Sequence, residues 1–272
     1  MSDAETLPDY APMLADYHRA YARELRAMVA SLPIREGDRV LEMACGDGVY
    51  SRWLAERVGR RGSVTALDVS PAFLDLAGMN TAGHRVDFVA AAAERMPFAD
   101  NTFDLVWCAQ SLYSLPDPVE AVRLMARVVR PGGVVAVLEN DSLHHILLPW
   151  PVEVELAVRA AELLAFVDES EHPRKYYIGR RLNEVFREAG LEDCRKSTWA
   201  TNRQAPLGPD ERGFLGKYLR DLLERAGPRL EPTMRARFES LVDSRSDDYL
   251  LDQPDLTVTC LDHVVRGTKP AP

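Results

Sequence analysis

Positive charge, paired cysteines and long apolar runs are all scarce in this chain. Lysine and arginine number 33 against 42 aspartates and glutamates, a formal net charge of −9. So acidic a chain lacks the basic face that non-specific nucleic-acid binding needs. The four cysteines, Cys45, Cys108, Cys194 and Cys260, form no close pair and fall in apolar, strand-like surroundings. That speaks against both a zinc site and a disulfide framework. No uncharged apolar run reaches the ~18 residues that a membrane span needs. The opening residues Met1-Ser2-Asp3-Ala4-Glu5-Thr6 have neither the basic nor the apolar region of a secretory signal, so a reducing cytoplasm is expected. There is no internal repeat and no low-complexity tract. What remains is 272 residues, 46% hydrophobic and 28% charged, an ordinary globular composition with room for one or two domains.

The hydrophobic pattern alternates between two periods. Tyr17, Tyr21, Leu25, Met28 and Leu32 predict a helix over residues 11–32, ended by Pro33. Strands are expected at 39–43, 63–67, 86–90, 103–109 and 134–138, with helices at 49–58, 70–79 and 118–129 between them. Such alternation implies parallel pairing with right-handed crossovers. After Glu139 the pattern changes. Residues 151–167 read as a helix apolar on most sides and therefore buried between two layers. A stripe at 182–189 and another at 214–223 predict two more helices, the second a packing surface or else a substrate or dimer surface. A further helix is expected at 229–245, and strands at 194–201 and 256–265. The chain thus divides into a helical cap (1–33), a cofactor-binding core (34–139), a helical lid (140–190) and a closing segment (191–272) with a second helical insertion at about 207–247.

The most telling stretch is Glu42-Met43-Ala44-Cys45-Gly46-Asp47-Gly48, an acid and a glycine-bearing turn between a strand and a helix. Glycine lets the backbone turn sharply and approach a ligand, and the helix behind it presents free N–H groups. Asp68 ends the next strand, where nucleotide-binding α/β folds hold a ribose. The third glycine of the dinucleotide fingerprint is replaced by Ser51, and no Gly-Lys-Ser/Thr of a phosphate loop occurs. A nicotinamide-linked oxidoreductase is therefore the alternative reading rather than the first. A non-catalytic nucleoside-binding protein is another.

These residues resemble the class I S-adenosylmethionine-dependent methyltransferase family, of the type that acts on small molecules. The family's E/D-x-G-x-G-x-G motif is answered by Glu42, Ala44, Gly46 and Gly48, with alanine for the first glycine. Its second-strand acid is Asp68. Its A-E-x-L-P-F segment is Ala93-Glu94-Arg95-Met96-Pro97-Phe98, and its R-P-G-G turn is Arg130-Pro131-Gly132-Gly133. The resemblance is close over residues 39–139 and looser over the rest.

It implies a doubly wound, mostly parallel seven-stranded α/β sheet of the Rossmann-like methyltransferase type, with helical lid insertions. It also implies S-adenosylmethionine as cofactor. Gly46 and Gly48 would pass close to the methionine part, with Glu42 holding the turn. Asp68 would accept hydrogen bonds from the ribose hydroxyls. Ala93 and Glu94 would read the adenine, and the Cys108 carbonyl would receive the ammonium. Gln110 and Ser111 would line the wall near the sulfonium, and Tyr17 and Tyr21 would close over the donor.

The acceptor is expected to be a small, largely apolar molecule, methylated on oxygen first, or on nitrogen or carbon. The Asn/Asp-Pro-Pro-Tyr/Phe tetrapeptide of nucleic-acid amino-methylating enzymes is missing; Cys108-Ala109-Gln110-Ser111-Leu112-Tyr113 stands there. Neither nucleic acid nor membrane is expected as partner, no metal is needed, and a homodimer is a possibility. His144 and His145, after the fifth strand, are the candidate bases because histidine titrates near neutral pH. Asn140 and Asp141 stand at the same strand end as further candidates, and Tyr113, Asp141, Tyr176 and Tyr177 are candidate acceptor contacts.

Overall fold

The computed structural model describes residues 6–271; the polar opening segment before Thr6 lies outside it. The chain begins with α1 (Ala11–Ala20) and α2 (Ala22–Ala30), separated at Tyr21. One continuous helix was the expectation. Tyr21 leaves the helical region (φ −116°, ψ 14°), but a one-residue break leaves the apolar spacing intact, so periodicity alone does not reveal it.

The core follows as β1 (Arg39–Met43), α3 (Val49–Val58), β2 (Ser63–Asp68), α4 (Pro71–Asn80), β3 (Val86–Ala90), β4 (Phe103–Ala109), α5 (Pro118–Val128) and β5 (Val129–Glu139). Two helix starts are chemically marked. Ser70 Oγ accepts from Phe73 N at 3.3 Å, and Asp117 Oδ1 accepts from Val119 N and Glu120 N at 2.8 and 3.1 Å. In both, the capping oxygen satisfies donors that the first turn leaves free, and proline follows at the first helical position.

Then come β6 (Ile146–Leu147), α6 (Val152–Glu169), α7 (Leu182–Glu188), β7 (Glu192–Gln204), α8 (Pro209–Ala226), α9 (Pro232–Val242) and β8 (Thr257–Thr268). The sheet has eight strands in the order β3-β2-β1-β4-β5-β8, with the two-residue β6 continuing β5's edge of β8 and β7 on β8's other edge. The extra strand beyond the expected seven is that short β6. Strands β1 to β5 are parallel, whereas β8 runs antiparallel to its neighbours. The order reverses between β1 and β4, and that switch point opens a crevice at the carboxyl ends of the strands.

Two cores lie on opposite faces of the sheet. One packs Tyr17, Tyr21, Trp53, Trp107, Phe214 and Phe238 under α1, α2, α3 and α8. The other packs Val106, Val137, Met125, Phe186 and Val265 under α5 and α7. The stripe on α8 is internal: Phe214, Leu215, Leu219 and Leu222 are buried. Helix α6 corrects its expectation. Val154, Val158, Ala161, Ala165 and Phe166 are buried, but Val152, Leu156, Leu163, Leu164 and Val167 face outward, 45–67% exposed. Its composition allows burial on all sides; the fold supplies a layer on only one. Among the described residues, no helix is long and apolar enough to cross a membrane.

Candidate active site

The glycine turn closes the crevice at its β1 end. Ala44, Gly46 and Gly48 all have positive φ (57°, 50° and 75°). The two glycines do different work. A Cβ on Gly46 would meet only Leu14 Cδ2, at 3.7 Å, so that face of the turn is open toward the crevice. A Cβ on Gly48 would lie 2.7 Å from Ala77 Cβ and 2.8 Å from Ala77 Cα. Gly48 is therefore needed for the close packing of α3 against α4. Ser51, the position that departs from the dinucleotide fingerprint, is fully buried and donates its hydroxyl to Glu42 Oε2.

Acids line the floor. Burial pushes the Glu42 carboxyl up to about 8, helped by the nearby charges of Asp47 and Asp68 and opposed by the Ser51 hydroxyl. Asp68 is buried; its Oδ2 accepts from Gly46 N and its Oδ1 from Ser70 N, both at 2.9 Å. It ties the turn after β1 to the start of α4 and retains free lone pairs for a ligand. Asp47 is buried beneath α1. Glu139, at the end of β5, accepts from Leu112 N and Asn140 N at 3.0 and 3.3 Å, and burial pushes it up to about 8. Asp262, on β8, is pushed by burial to about 6, against the lowering effect of its hydrogen bond from Tyr17. Among these acids sits Tyr50, at the start of α3. Its buried hydroxyl has no hydrogen-bond partner, and burial, then the charges of Asp262, Glu42, Asp47 and Glu139, keep it protonated.

Helix α1 forms the cover. Tyr10, just before it, feels the charge of Asp68, and Leu14 stands over Gly46. The Tyr17 hydroxyl donates to Asp262 Oδ1 at 3.3 Å and accepts from Gln110 Nε2 at 3.0 Å. His18 Nδ1 lies 2.9 Å from Asp47 Oδ2, while its buried Nε2 is unpartnered. Tyr21 accepts from the Cys260 thiol at 3.3 Å and carries Arg203 over its ring. Gln110 has φ 51°, and its N–H is anchored on Leu138 O at 2.7 Å. A non-glycine residue in that region is an uncommon, constrained conformation, and such conformations gather at functional sites.

The remaining candidates spread outward. Cys108 is fully buried within β4, and Ala93 opens a short 3-10 turn with Glu94 exposed beside it. Ser111 turns its hydroxyl onto Ala109 O. Tyr113 is 41% exposed, 6.4 Å between ring centroids from Tyr176. Tyr176 stacks on Phe166 of α6 at 3.9 Å, and Tyr177 lies under Arg180. Asp141 is held by both nitrogens of an Arg180 fork at 2.7 Å; burial alone would raise its carboxyl, but the fork holds it below the usual range. His144 is exposed. His145 packs edge-on against Tyr218, and burial, then Arg159, lower it to about 4. The structure thus gathers Glu42, Ala44, Gly46, Gly48, Asp68, Gln110, Tyr17 and Tyr21 at one crevice. It ties Asp141, Tyr176 and Tyr177 to the 3-10 segment at 173–180, and His145 to α8. Sequence reasoning passed over Asp47, Tyr50, Glu139, His18 and Asp262. Glu139 carries the same signal as Glu42 and Asp68, an acid closing a buried parallel strand, and Asp262 interrupts a β-branched run.

These residues fit a sulfonium nucleoside. Burial raises the proton affinity of Glu42, Glu139 and Asp262, and a cation bound beside them would favour their carboxylate forms. The open face of Gly46 admits a close approach, and the unpartnered Tyr50 hydroxyl lies among the same acids. Residues 41–137 match the family described as "Methyltransferase domain". A ubiquinone/menaquinone biosynthesis C-methyltransferase UbiE from Stenotrophomonas maltophilia (strain K279a) is 39% identical over 193 residues, 65% of this chain and 74% of its own length. A demethylmenaquinone methyltransferase of Staphylococcus epidermidis is 32% identical over 128 residues, 47% of this chain and 52% of its own length, so the chain spans about half of that relative. A crystal structure of a putative methyltransferase from Bacillus halodurans shares the fold, with a TM-score of 0.58 and 20% identity over 91% of this chain and 98% of that one. The motif order, the crevice at the strand switch and the Stenotrophomonas relative together place the chain in the class I S-adenosylmethionine-dependent methyltransferase family, with S-adenosylmethionine as its cofactor.

Proposed function

We propose that this protein methylates a ring carbon of a small hydroquinone-type acceptor. Oxygen was the expectation from sequence; carbon takes its place because the relatives include a named C-methyltransferase and a demethylmenaquinone methyltransferase. The observation that carries the reading is the group of buried acids around Tyr50, toward the carboxyl ends of β1 and β5 and on β8. It suits a cationic donor beside a neutral aromatic acceptor.

S-Adenosylmethionine, when bound, supplies an electrophilic methyl carbon and leaves as a neutral thioether. The chain's own residues have three tasks. Gly46, Asp68 and Glu42 hold the donor end of the crevice in a fixed geometry, and such positioning alone is worth on the order of several kcal/mol. Helix α1 excludes water through Leu14 and Tyr17, and Tyr21 does so at the break behind it. The polar groups between β4 and β8 orient the acceptor and handle its proton. A quinone ring is electron-poor; its reduced, hydroxylated form carries the electron density at carbon, and more so once a hydroxyl ionises.

The test is anaerobic incubation with S-adenosylmethionine and 1,4-naphthalenediol, with product analysis by NMR. A new carbon-bound methyl supports the reading. A methoxy product moves the methylated atom to oxygen, and no methylated product with any hydroquinone rejects the acceptor class.

A further inference from the structure

Six buried acids lie at or beside the crevice, and four have both oxygens engaged. Glu42 uses one, Oε2, which accepts from the Ser51 hydroxyl. Asp47 meets His18 and Val49 N, and Asp68 holds two backbone N–H groups. Glu139 holds Leu112 N and Asn140 N. Asp141 is gripped by Arg180. Asp262 also uses one oxygen, but its partner belongs to the cover: it is 5% exposed, and the Tyr17 hydroxyl donates to Oδ1 at 3.3 Å, while among the described residues Oδ2 accepts no hydrogen bond. Oδ2 is not among the fully enclosed atoms that lack a partner, so it keeps a surface that a ligand's hydroxyl can reach.

Its place in the sheet shows where that ligand would stand. Glu139, the last residue of β5, pairs with His263, so Asp262 stands one residue beyond the end of β5, at the carboxyl edge of the parallel strands. Cys260 and Val264, its same-face neighbours, pack in the core that contains Tyr17 and Trp107. The Tyr17 oxygen joins Asp262 to Gln110, the first residue after β4. Across β8, its register partner Trp199 leaves a buried indole N–H unpartnered.

We propose that Asp262 is the group that takes the proton from the acceptor hydroxyl, with Tyr17 as its positioning residue. This rests on the hydroquinone reading above. In the step, the acceptor O–H bond breaks, the proton passes to Asp262 Oδ2, and the electron pair stays on oxygen to enrich the ring carbon. After methylation that carbon loses its own proton to solvent and the proton held on Asp262 returns to the acceptor oxygen, so one proton leaves per turnover and Asp262 is again a carboxylate.

The groups facing Asp262 are Tyr17 from α1, Tyr50 from α3, Glu139 from β5 and Cys260 on its own strand. Burial raises Asp262 to about 6 while the Tyr17 hydrogen bond lowers it, so it is a carboxylate at neutral pH and is lost as a base on acidification.

The test compares wild type, Asp262→Asn and Tyr17→Phe with 1,4-naphthalenediol under anaerobic conditions, following turnover against pH. It also follows S-adenosylhomocysteine affinity by calorimetry and ionisation of the bound diol by ultraviolet absorbance. Asp262→Asn should keep the S-adenosylhomocysteine affinity, lose turnover by about 10²-fold or more, and lose the diolate absorbance. Its residual rate should climb with pH without levelling. Tyr17→Phe should move the acid limb of the profile to higher pH, which a merely structural role would not do. Wild-type turnover and acid limb in Asp262→Asn overturn the assignment while leaving the acceptor reading intact. A wild type that binds S-adenosylhomocysteine but neither binds nor methylates the diol overturns both.

Discussion

Alanine substitutions at Gly46 and Gly48 should separate the turn's service to the ligand from its service to the fold. Both positions have positive φ, and an L-residue in the left-handed region costs roughly 1–2 kcal/mol. At Gly48 the new methyl also overlaps Ala77 Cα and Cβ at 2.8 and 2.7 Å. Neither atom can swing aside, so α3 must move off α4, and overpacking of that kind adds roughly 1–3 kcal/mol. Gly48→Ala is therefore expected to lose about 2–5 kcal/mol, much of a typical domain stability of about 5–15 kcal/mol. Gly46→Ala meets only Leu14 at 3.7 Å and should lose only the roughly 1–2 kcal/mol of backbone strain. It should nevertheless weaken S-adenosylhomocysteine binding by about tenfold or more, or ~1.4 kcal/mol, because its methyl stands in the open face of the turn. Urea unfolding of the three proteins gives the first comparison and calorimetry the second. Equal losses of stability, or a Gly46→Ala protein that binds as wild type, would refute the division of labour.

Ala44→Gly should be neutral or stabilising by up to about 1 kcal/mol, since relief of left-handed strain outweighs the greater freedom glycine gives the unfolded chain; thermal unfolding checks it. Asp68→Ala should weaken S-adenosylmethionine binding by roughly 1–3 kcal/mol and also lower stability, because Gly46 N and Ser70 N lose their acceptor; binding and urea titrations on one preparation separate the two effects. S-Adenosylmethionine affinity should rise with pH as Asp262, at about 6, and Glu42 and Glu139, at about 8, ionise, because a cation favours the carboxylate forms. Calorimetry in buffers of different ionisation enthalpy would show proton release on binding; a flat profile refutes it. His145, lowered from 6.5 to about 4, contributes stability that is complete above 6.5 and lost as pH falls toward 4. His145→Gln should flatten that part of the stability curve, measured by urea midpoints.

The parallel half of the sheet was legible in the sequence because strands β1 to β4 are short apolar runs ended by acids or turns, and Arg39–Met43, Val86–Ala90 and Phe103–Ala109 match their expected limits. β5 was harder: it begins at Val129 and carries Arg130-Pro131-Gly132-Gly133 inside the strand, where a Cβ on Gly133 would lie 2.7 Å from Asp104 O. Proline and glycine read as a break when the neighbouring strand is invisible. The glycine turn and Asp68, to which Gly46 N donates, were readable for the same local reason, since Glu42, Gly46 and Asp68 belong to short motifs. Asp262 is different: 245 residues separate it from Tyr17, and only the antiparallel return of β8 brings them together. His145 shows the converse. Its position after β5 fits a base, but the turn before β6 points its ring at Tyr218 on α8.

The Tyr17 hydroxyl is one oxygen shared by the cover and the floor, bonded at once to Gln110 and to Asp262. Any swing of the first helix that lets a nucleoside in or out must break both of those links together. A displaced helix would thus leave the Gln110 amide and the Asp262 carboxylate without their common partner at one stroke, coupling the cover to the floor through a single oxygen.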